Sequence, residues 1–158
     1  LVSGDNTILI GLSWKGGVGL NAHIKSLELS RIVEALPDTN VKFVNLQYGD
    51  TQQECDDLKK STGIEIHNVA NIDNKNDIDG LVSLIDACDH VITISNVTAH
   101  LAGAIGKNTS IILALSYDWR WGVGQSTSYW YSSLKLYQQK KLKNLDYPLS
   151  KLRRAARL

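Results

Sequence analysis

The sequence predicts an α/β fold of the Rossmann-like type, in which a mainly parallel sheet lies between two layers of helices. Three observations support this prediction. Apolar runs of strand length recur along the chain, segments with helical periodicity separate them, and residues 89–115 hold a complete strand–helix–strand unit. Strands that alternate with helices pair in parallel through right-handed crossovers, so we expect helices on both faces of one sheet, a three-layer α/β/α arrangement.

The predicted elements follow one another in a regular order. Thr51 and Glu54 have the spacing of a capping box at the start of the second helix, which we expect to continue to about Ser61. The five predicted strands are residues 7–13, 41–46, 64–69, 89–94 and 109–115. The four predicted helices contain residues 29–36, 51–61, 78–85 and 95–108. A long aromatic loop then leads to a short strand-like segment at residues 134–139.

The composition is that of one soluble globular domain. The chain has 158 residues, of which 43% are hydrophobic and 21% charged, and its net charge is +1. No apolar run approaches the roughly 20 residues that cross a bilayer, so we expect no integral membrane segment. Cys55 and Cys88 lack metal-ligand spacing, which favours a reducing, cytoplasmic location over a disulfide framework. The four histidines are scattered as well, and we expect no metal site.

The C-terminal segment differs in charge from the rest of the chain. From residue 135 onward there are eight Lys or Arg residues and one acidic residue, Asp146, against nine basic and fifteen acidic residues before it. Such a tail would suit nucleic acid or anionic lipid, but Leu149 and Leu152 follow the pattern of an amphipathic helix with a solvated basic face. We therefore expect no nucleic-acid partner. We divide the chain into a domain of residues 1–143 and a basic amphipathic helix of residues 144–158.

The helix within residues 89–115 is the strongest candidate for a binding site. Ser95 or Asn96 can cap its first turn through a side-chain oxygen, which leaves the following amides at the positive end of the helix dipole. A helix start of this kind is a ready site for a phosphate. Gly106 can end the helix in a left-handed conformation. His100 lies one turn in from the start, within reach of the same crevice.

A glycine-rich turn follows the first predicted strand. Residues 15–19, KGGVG, are similar to the phosphate loop of partition-type ATPases. That chemistry needs a lysine and a hydroxyl at positions where this chain has Leu20 and Asn21. A deviant P-loop ATPase is therefore the weakest functional alternative. The glycines keep a simpler interpretation, a flexible loop in which Lys15 adds positive charge near a bound diphosphate, or a loop that only faces solvent.

Four segments together resemble the C-terminal half of family 9, heptosyltransferase-like glycosyltransferases, particularly those fused to tetratricopeptide repeats. The segments are GLSWKGG, FVNLQYGD, VITISNVTAHLAGAIGKNTSIILAL and SYDWRWGVGQSTSYWYSSLKLYQQ, within about residues 8–140. The resemblance implies the donor-binding lobe of a GT-B enzyme, which holds a nucleotide-diphosphate sugar in a cleft against an N-terminal acceptor lobe. It implies sugar transfer to an acceptor hydroxyl without a metal or other cofactor. The C-terminal helix would then pack on this lobe or on the missing one.

By this resemblance, the start of the helix in residues 95–108 holds the diphosphate. Ser95, Asn96 and the amides of Val97 and Thr98 contact the phosphates, and His100 supports that turn or a sugar hydroxyl. Many relatives carry an Asp-Thr pair where this chain has Ser95 and Asn96. The identity of the donor sugar therefore stays open at this point.

The same resemblance places the rest of the donor at other turns. Gln47, Tyr48 and Gly49 flank the nucleoside. Lys15 and Arg120 neutralise the phosphate leaving group, whose developing negative charge is the electrostatic problem in glycosyl transfer. The remaining substrate-binding candidates, in the SWKGG turn and the DWRW segment, are Ser13, Trp14, Gly16, Asp118 and Trp119.

A different class of function competes with the transferase. The chain can be a non-catalytic nucleotide- or ligand-binding module, or a protein-interaction module, that kept the fold without the reaction. The general base that activates an acceptor hydroxyl would come from the missing lobe, so these residues alone do not form a complete active site.

Overall fold

A computed structural model of the chain describes residues 7–17, 25–36, 40–141 and 144–155. Its strands are β1 (Ile8–Ser13), β2 (Val41–Asn45), β3 (Ile66–His67), β4 (His90–Ile94), β5 (Thr109–Leu113) and β6 (Leu134–Gln138). Its helices are α1 (Leu29–Glu34), α2 (Gln52–Thr62), α3 (Ile78–Ala87), α4 (Val97–Ala104) and α5 (Asp146–Ala155), with a 3₁₀ turn at Trp119–Trp121. The longest of these helices has 11 residues, and none of them is long and apolar enough to span a membrane.

The six strands form one sheet in the order β3-β2-β1-β4-β5-β6, and each neighbouring pair is parallel. This confirms the Rossmann-like α/β prediction. The strand-like segment at residues 134–139 adds a sixth strand, at the edge beside β5. Successive strands run outward from β1 in one direction and from β4 in the other. The point between β1 and β4 is therefore the topological switch point, outside which ligands of such sheets bind.

Helices cover both faces of the sheet. On one face, α1, α2 and α5 pack apolar side chains against the strands, among them Ile32, Leu58 and Leu152. On the other face, α3 contributes Leu81 and Ile85 to a second cluster, and Ala99 of α4 belongs to a third cluster with residues of β5 and β6. The basic C-terminal helix is therefore part of this domain's core. Residues 156–158 of its predicted range lie outside the described residues.

Two local predictions were wrong. The capping box at Thr51 does not form, because Thr51 Oγ1 accepts a hydrogen bond from Asn45 Nδ2 at 2.8 Å instead of from its own helix. The carboxylate of Glu54 is likewise taken, by Trp14 and Lys15. The third strand is also shorter than residues 64–69. It pairs with β2 at only two residues, and Asn68 then turns its side chain to Asn45, with Nδ2 of Asn45 donating at 2.7 Å.

Candidate functional site at the carboxyl edge of the sheet

Ser13, the last residue of β1, is the meeting point of three strand ends. Its side chain is buried, and its Oγ donates to Gln47 Oε1 at 3.1 Å. The same Oγ accepts from Asn96 Nδ2 at 2.8 Å and lies 3.4 Å from Thr98 Oγ1. Since these partners follow β2 and β4, Ser13 joins the loops on both sides of the switch point. The sequence predicted Ser13 as a substrate-binding residue, and the structure places it beneath the other candidates.

Gln47 organises the turn that follows β1. Its Oε1 accepts from the backbone amides of Trp14 and Lys15, at 2.9 and 2.8 Å, as well as from Ser13. Its own amide donates to Asn45 Oδ1, and its Nε2 donates to the carbonyl of Tyr48. The side chain is 2% exposed. Because Gln47 already occupies the amides of residues 14 and 15, these two amides are not open to a phosphate.

Asn96 is the N-cap of α4. This confirms one of the two predicted alternatives, which were Ser95 and Asn96. Its Oδ1 accepts from the amide of Ala99 at 3.2 Å and from Thr93 Oγ1 at 3.0 Å. Within the described part of the chain, the amides of Val97 and Thr98 meet no protein acceptor. Val97 is 45% exposed, whereas the Thr98 side chain is buried. The helix therefore presents its positive end at the switch point, partly open to solvent.

The other end of α4 confirms the prediction for Gly106. This glycine has a φ of 73°, the left-handed conformation that ends many helices. Its amide donates to Gly103 O, and the next amide, of Lys107, donates to Ala102 O at 2.9 Å. Gly103 itself has no room for a side chain, because a Cβ there would overlap the ring of Tyr131. Tyr131 therefore packs closely on the last turn of α4.

Lys15 and Glu54 form an ion pair at the outer side of the β1 turn. Lys15 Nζ lies 2.7 Å from Glu54 Oε2, and both side chains are partly exposed. The same carboxylate oxygen accepts from the indole nitrogen of Trp14 at 3.1 Å, while the Trp14 side chain is buried. Gly16 donates its amide to Ser26 Oγ at 3.0 Å. Leu20 and Asn21 of the glycine-rich turn lie outside the described residues.

A cavity of about 390 Å³ opens at the carboxyl ends of β2 and β3. Gln47 and Gly49 line it, together with a loop that contains Asn68, Asp73 and Asn74. The Asn74 Nδ2 donates to the carbonyls of residues 45 and 47, but its buried Oδ1 has no hydrogen-bond partner among the described residues. Buried acceptors are rarely left without a donor. The hydroxyl of Tyr48 lies on the neighbouring side of this turn, close to Gly17.

His100 belongs to an aromatic group beside the start of α4. Its ring stacks on Trp121 with centroids 5.0 Å apart, and its Nδ1 lies 3.3 Å from the hydroxyl of Tyr131. Trp121 Nε1 in turn donates to Ser95 Oγ at 2.8 Å. Burial lowers the pKa of His100, and the positive charge of Arg120 lowers it further, against an opposing effect of Asp118. The imidazole is therefore neutral near pH 7 and can accept or donate one hydrogen bond.

Arg120 and Asp118 pair with each other above this group. Arg120 Nη1 lies 2.6 Å from Asp118 Oδ2, and Asp118 Oδ1 accepts from the Arg120 amide at 3.0 Å. The guanidinium also lies 5.4 Å from the ring centroid of Trp119, which is 73% exposed. Asp118 thereby caps the short 3₁₀ turn and holds the arginine at the sheet edge. A ligand can form an ion pair with Arg120 or Asp118 only if it replaces the contact between these two side chains.

The structure gathers the predicted site residues in two adjoining groups. The first, around Ser13, contains Trp14, Lys15, Gly16, Gln47, Tyr48, Asn96 and Thr98. Gly49 lines the same cavity as Gln47, and Val97 follows Asn96 as the first residue of α4. The second, around His100, contains Ser95, Asp118, Trp119 and Arg120. Ser95 and Asn96 are neighbours in the chain and connect the two. Lys15 and Arg120 lie in different groups, so each would approach a ligand from its own side.

Sequence reasoning missed several residues of this edge. Glu54 was assigned to a capping box, while Asn74, Trp121 and Tyr131 were not singled out. Trp121 is part of the DWRW segment, but the sequence does not show which of the two tryptophans in that segment is buried. Nothing local in the sequence indicated that Asn74 would reach the carbonyls after β2.

No cluster of three or more metal-ligating side chains is found among the described residues. Both cysteines are buried and free, and burial raises the pKa of Cys88 to about 11. Cys88 is therefore a poor nucleophile at neutral pH. The arrangement offers hydrogen-bond donors, one helix start and two cations, which suits the binding of an anionic ligand.

Fold and site together define a Rossmann-like α/β domain with a polar site at its topological switch point. No family model matches the chain. The chain is similar to Protein FlbA of Caulobacter vibrioides (strain ATCC 19089 / CIP 103742 / CB 15), with 37% identity over 132 residues. The similar region covers 81% of this chain but 21% of FlbA, so the chain spans only a small part of that protein's length. The name of FlbA states no activity, and the likeness carries no function to this chain.

Proposed function

We propose that this chain is the donor-binding lobe of a metal-independent, GT-B type glycosyltransferase, which transfers a sugar from a nucleotide-diphosphate sugar to an acceptor hydroxyl. The observation that carries the proposal is the start of α4. It lies at the switch point, is capped by Asn96, and is tied to β1 by the 2.8 Å bond from Asn96 Nδ2 to Ser13 Oγ. Dinucleotide and nucleotide ligands of such sheets place their phosphates at this position.

The diphosphate would lie against the amides of Val97 and Thr98. These amides are free of protein acceptors within the described part of the chain, and the helix dipole adds to their attraction for an anion. Both the nitrogen and the oxygen of the Asn96 side-chain amide form hydrogen bonds within the protein, so the loop keeps its shape when no ligand is bound. Such preorganisation reduces the entropy lost on binding.

The nucleoside would occupy the cavity between the ends of β2 and β3. Its volume of about 390 Å³ lies within the range of ligand pockets, roughly 300–1,000 Å³. The Oδ1 of Asn74, which has no hydrogen-bond partner among the described residues, would accept a hydrogen bond from a base amino group or a ribose hydroxyl. Gln47 lines the cavity and also bonds Ser13, which bonds Asn96. A continuous set of side chains therefore connects this cavity with the helix start.

Lys15 and Arg120 would stabilise the nucleoside diphosphate as it leaves. Each cation is held in an ion pair, with Glu54 and Asp118 respectively, and a diphosphate would compete for it with more negative charge than one carboxylate. His100, neutral and hydrogen-bonded to Tyr131, would hold a hydroxyl of the donor sugar. The acceptor lobe, with its general base, and tetratricopeptide repeats would be supplied by the parent chain. We place the function in the cytoplasm, consistent with the two free cysteines.

Calorimetric titration of the chain with ADP, GDP and UDP, and then with sugars of the nucleotide that binds, tests the proposal. We expect one nucleotide to bind saturably at a single site. Nuclear magnetic resonance then locates that site: shifts at the amides of Val97 and Thr98 are expected, and shifts confined to other loops would contradict the assignment. Absence of binding for all three nucleotides at millimolar concentration would contradict the donor-lobe proposal.

One observation favours a second candidate, a nucleotide-binding module without catalysis. Lys15, which would neutralise the leaving group, is itself neutralised by Glu54 at 2.7 Å. A lobe that only binds nucleotide can keep this ion pair, whereas in a transferase Lys15 must leave Glu54 to contact the leaving phosphate. Sugar transfer by the parent chain, lost in Lys15→Ala, would decide for the transferase.

A further inference from the structure

A second cavity, of about 530 Å³, lies far along the sheet from the switch point, between the edge strand β6 and helix α5. Residues 124–127 form its third wall. Ser126 O accepts from the Leu136 amide at 2.8 Å, and Thr127 forms an antiparallel bridge with Lys135. None of the described residues that line this cavity belongs to the candidate site at the carboxyl edge.

The lining of this cavity carries positive charge only. Lys135, Lys140 and Lys151 line it, and no acidic residue is among its described lining residues. Lys140 Nζ lies 4.1 Å and Lys151 Nζ 5.8 Å from the ring centroid of Tyr147. Within the described part of the chain, none of the three lysines forms a salt bridge. Two ammonium groups near one ring repel each other, and an anion bound in the cavity would relieve that repulsion.

The surface around this cavity is also basic. Asp146, the single acidic residue from position 135 onward, is paired with Arg31 at 2.6 Å. The described basic residues of this region are all exposed: Lys135, Lys140, Lys141, Lys151, Arg153 and Arg154. A concave site surrounded by one sign of charge concentrates counter-ions of the other sign.

Gln139 supplies a second, independent observation. It lines the same cavity, is only 6% exposed, and its Oε1 has no hydrogen-bond partner among the described residues. A buried acceptor without a donor is costly to the fold. A hydroxyl of a ligand would provide that donor. The lysines therefore favour an anionic ligand, and Gln139 favours a ligand that also carries a hydrogen-bond donor such as a hydroxyl group.

We propose that the cavity between β6 and α5 binds a phosphate ester that also carries hydroxyl groups, of the kind found in glycerol phosphate. The lysines hold the phosphate, and Gln139 accepts a hydrogen bond from a hydroxyl. The phosphate ester is either a free metabolite or the headgroup of a lipid at a membrane surface. This site is independent of the proposed nucleotide site, and its test does not involve a nucleotide.

The free ester is tested by titrating the isotope-labelled chain with glycerol 3-phosphate and following the backbone amide signals. We expect saturable shifts at Gln139, Lys140 and Tyr147. The double variant Lys140→Gln/Lys151→Gln should bind about tenfold more weakly or worse, because it loses two charge-assisted hydrogen bonds. The matched control, Arg153→Gln/Arg154→Gln, removes the same charge from the same helix outside the cavity lining. It should bind within about twofold of the original chain.

Gln139→Leu tests the hydroxyl. It should weaken binding of glycerol 3-phosphate while binding of inorganic phosphate, which lacks a carbon-bound hydroxyl, stays within about twofold. Thermal unfolding of each variant shows whether the fold is kept.

Vesicles distinguish the two sources of the phosphate. If the chain sediments with phosphatidylglycerol–phosphatidylcholine vesicles, and the double lysine variant does not while the double arginine variant does, the ligand is the lipid headgroup. Binding of glycerol 3-phosphate without vesicle binding identifies the free ester. The proposal is overturned if neither probe binds, or if the lysine and arginine pairs weaken binding equally, since that result would mean diffuse charge instead of a site.

Discussion

Asn96 Nδ2 donates a hydrogen bond to Ser13 Oγ at 2.8 Å, across 83 residues of sequence. The bond ties the first residue before α4 to the last residue of β1. The other atom of the same amide, Oδ1, caps the helix. One side chain thus sets both the position of the helix start and its local geometry, at the switch point of the sheet.

Gln47→Leu is expected to lower the free energy of unfolding by about 2–4 kcal/mol. The substitution removes an acceptor shared by the Ser13 hydroxyl and the amides of Trp14 and Lys15, and buried donors left without a partner are costly. Urea denaturation measures the change. The control Gln53→Leu, on the exposed face of α2, should change stability by less than about 0.5 kcal/mol. Equal effects would show that Gln47 does not organise this turn.

Glu54→Gln is expected to raise the affinity for a nucleoside diphosphate by about threefold to tenfold. The change keeps an oxygen that can accept from Trp14 Nε1 but removes the carboxylate that neutralises Lys15, so the cation becomes available to the ligand. Calorimetry measures the affinity. Glu65→Gln removes the equivalent partner of Lys59, remote from the site, and should leave the affinity unchanged. An unchanged affinity in Glu54→Gln would place Lys15 outside the ligand's reach.

The free energy of unfolding is expected to fall as the pH decreases from about 6.5 to about 4. Burial, and secondarily the charge of Lys135, lowers the pKa of His90 from 6.5 to about 4. The unfolded chain therefore binds a proton that the folded chain does not bind in this window, so stability is lost toward acid, by up to about 3 kcal/mol. Denaturation at a series of pH values measures the slope.

His90→Gln is the comparison for that slope. The amide cannot titrate and can keep a hydrogen bond to Ser110, which lies 2.9 Å from His90 Nε2. The remaining acid dependence should be smaller, with a contribution from His100, whose pKa is also lowered by burial. If the stability of His90→Gln depends on pH as steeply as that of the original chain, His90 takes up its proton in the folded chain over the same pH range as in the unfolded chain.

The order of strands and helices could be predicted because it depends on local periodicity. A cap at Ser95 or Asn96, of which the structure shows Asn96, and the left-handed Gly106 followed from residue types with strong positional preferences. The length of β3 could not be predicted, because an apolar run does not show how many residues a neighbouring strand will pair. The failed capping box has a different cause: Thr51 and Glu54 have the right spacing, but Asn45 at the end of β2 donates to Thr51, and Lys15, distant in sequence, pairs with Glu54.

The sequence predicted which loops form the candidate site, but it did not predict the hydrogen bonds that connect them. Its residues were named because parallel strands bring their carboxyl ends to one edge. The pairings within the edge, such as Gln47 with the amides of residues 14 and 15, depend on strand register and on side chains separated by more than 30 residues. Trp121 and Tyr131 were missed because the sequence does not separate the buried aromatic residues of a loop from its exposed ones.

The most direct test of the central claim is calorimetry on Asn96→Asp with the nucleoside diphosphate that binds the original chain. A carboxylate keeps the cap of the first turn but cannot donate to Ser13 Oγ as Asn96 Nδ2 does, so the variant should be less stable than the original chain by about 1–3 kcal/mol while remaining folded. The added negative charge beside Val97 and Thr98 should weaken diphosphate binding by at least about tenfold. An unchanged affinity in a folded Asn96→Asp variant would contradict the claim that the start of α4 holds the diphosphate.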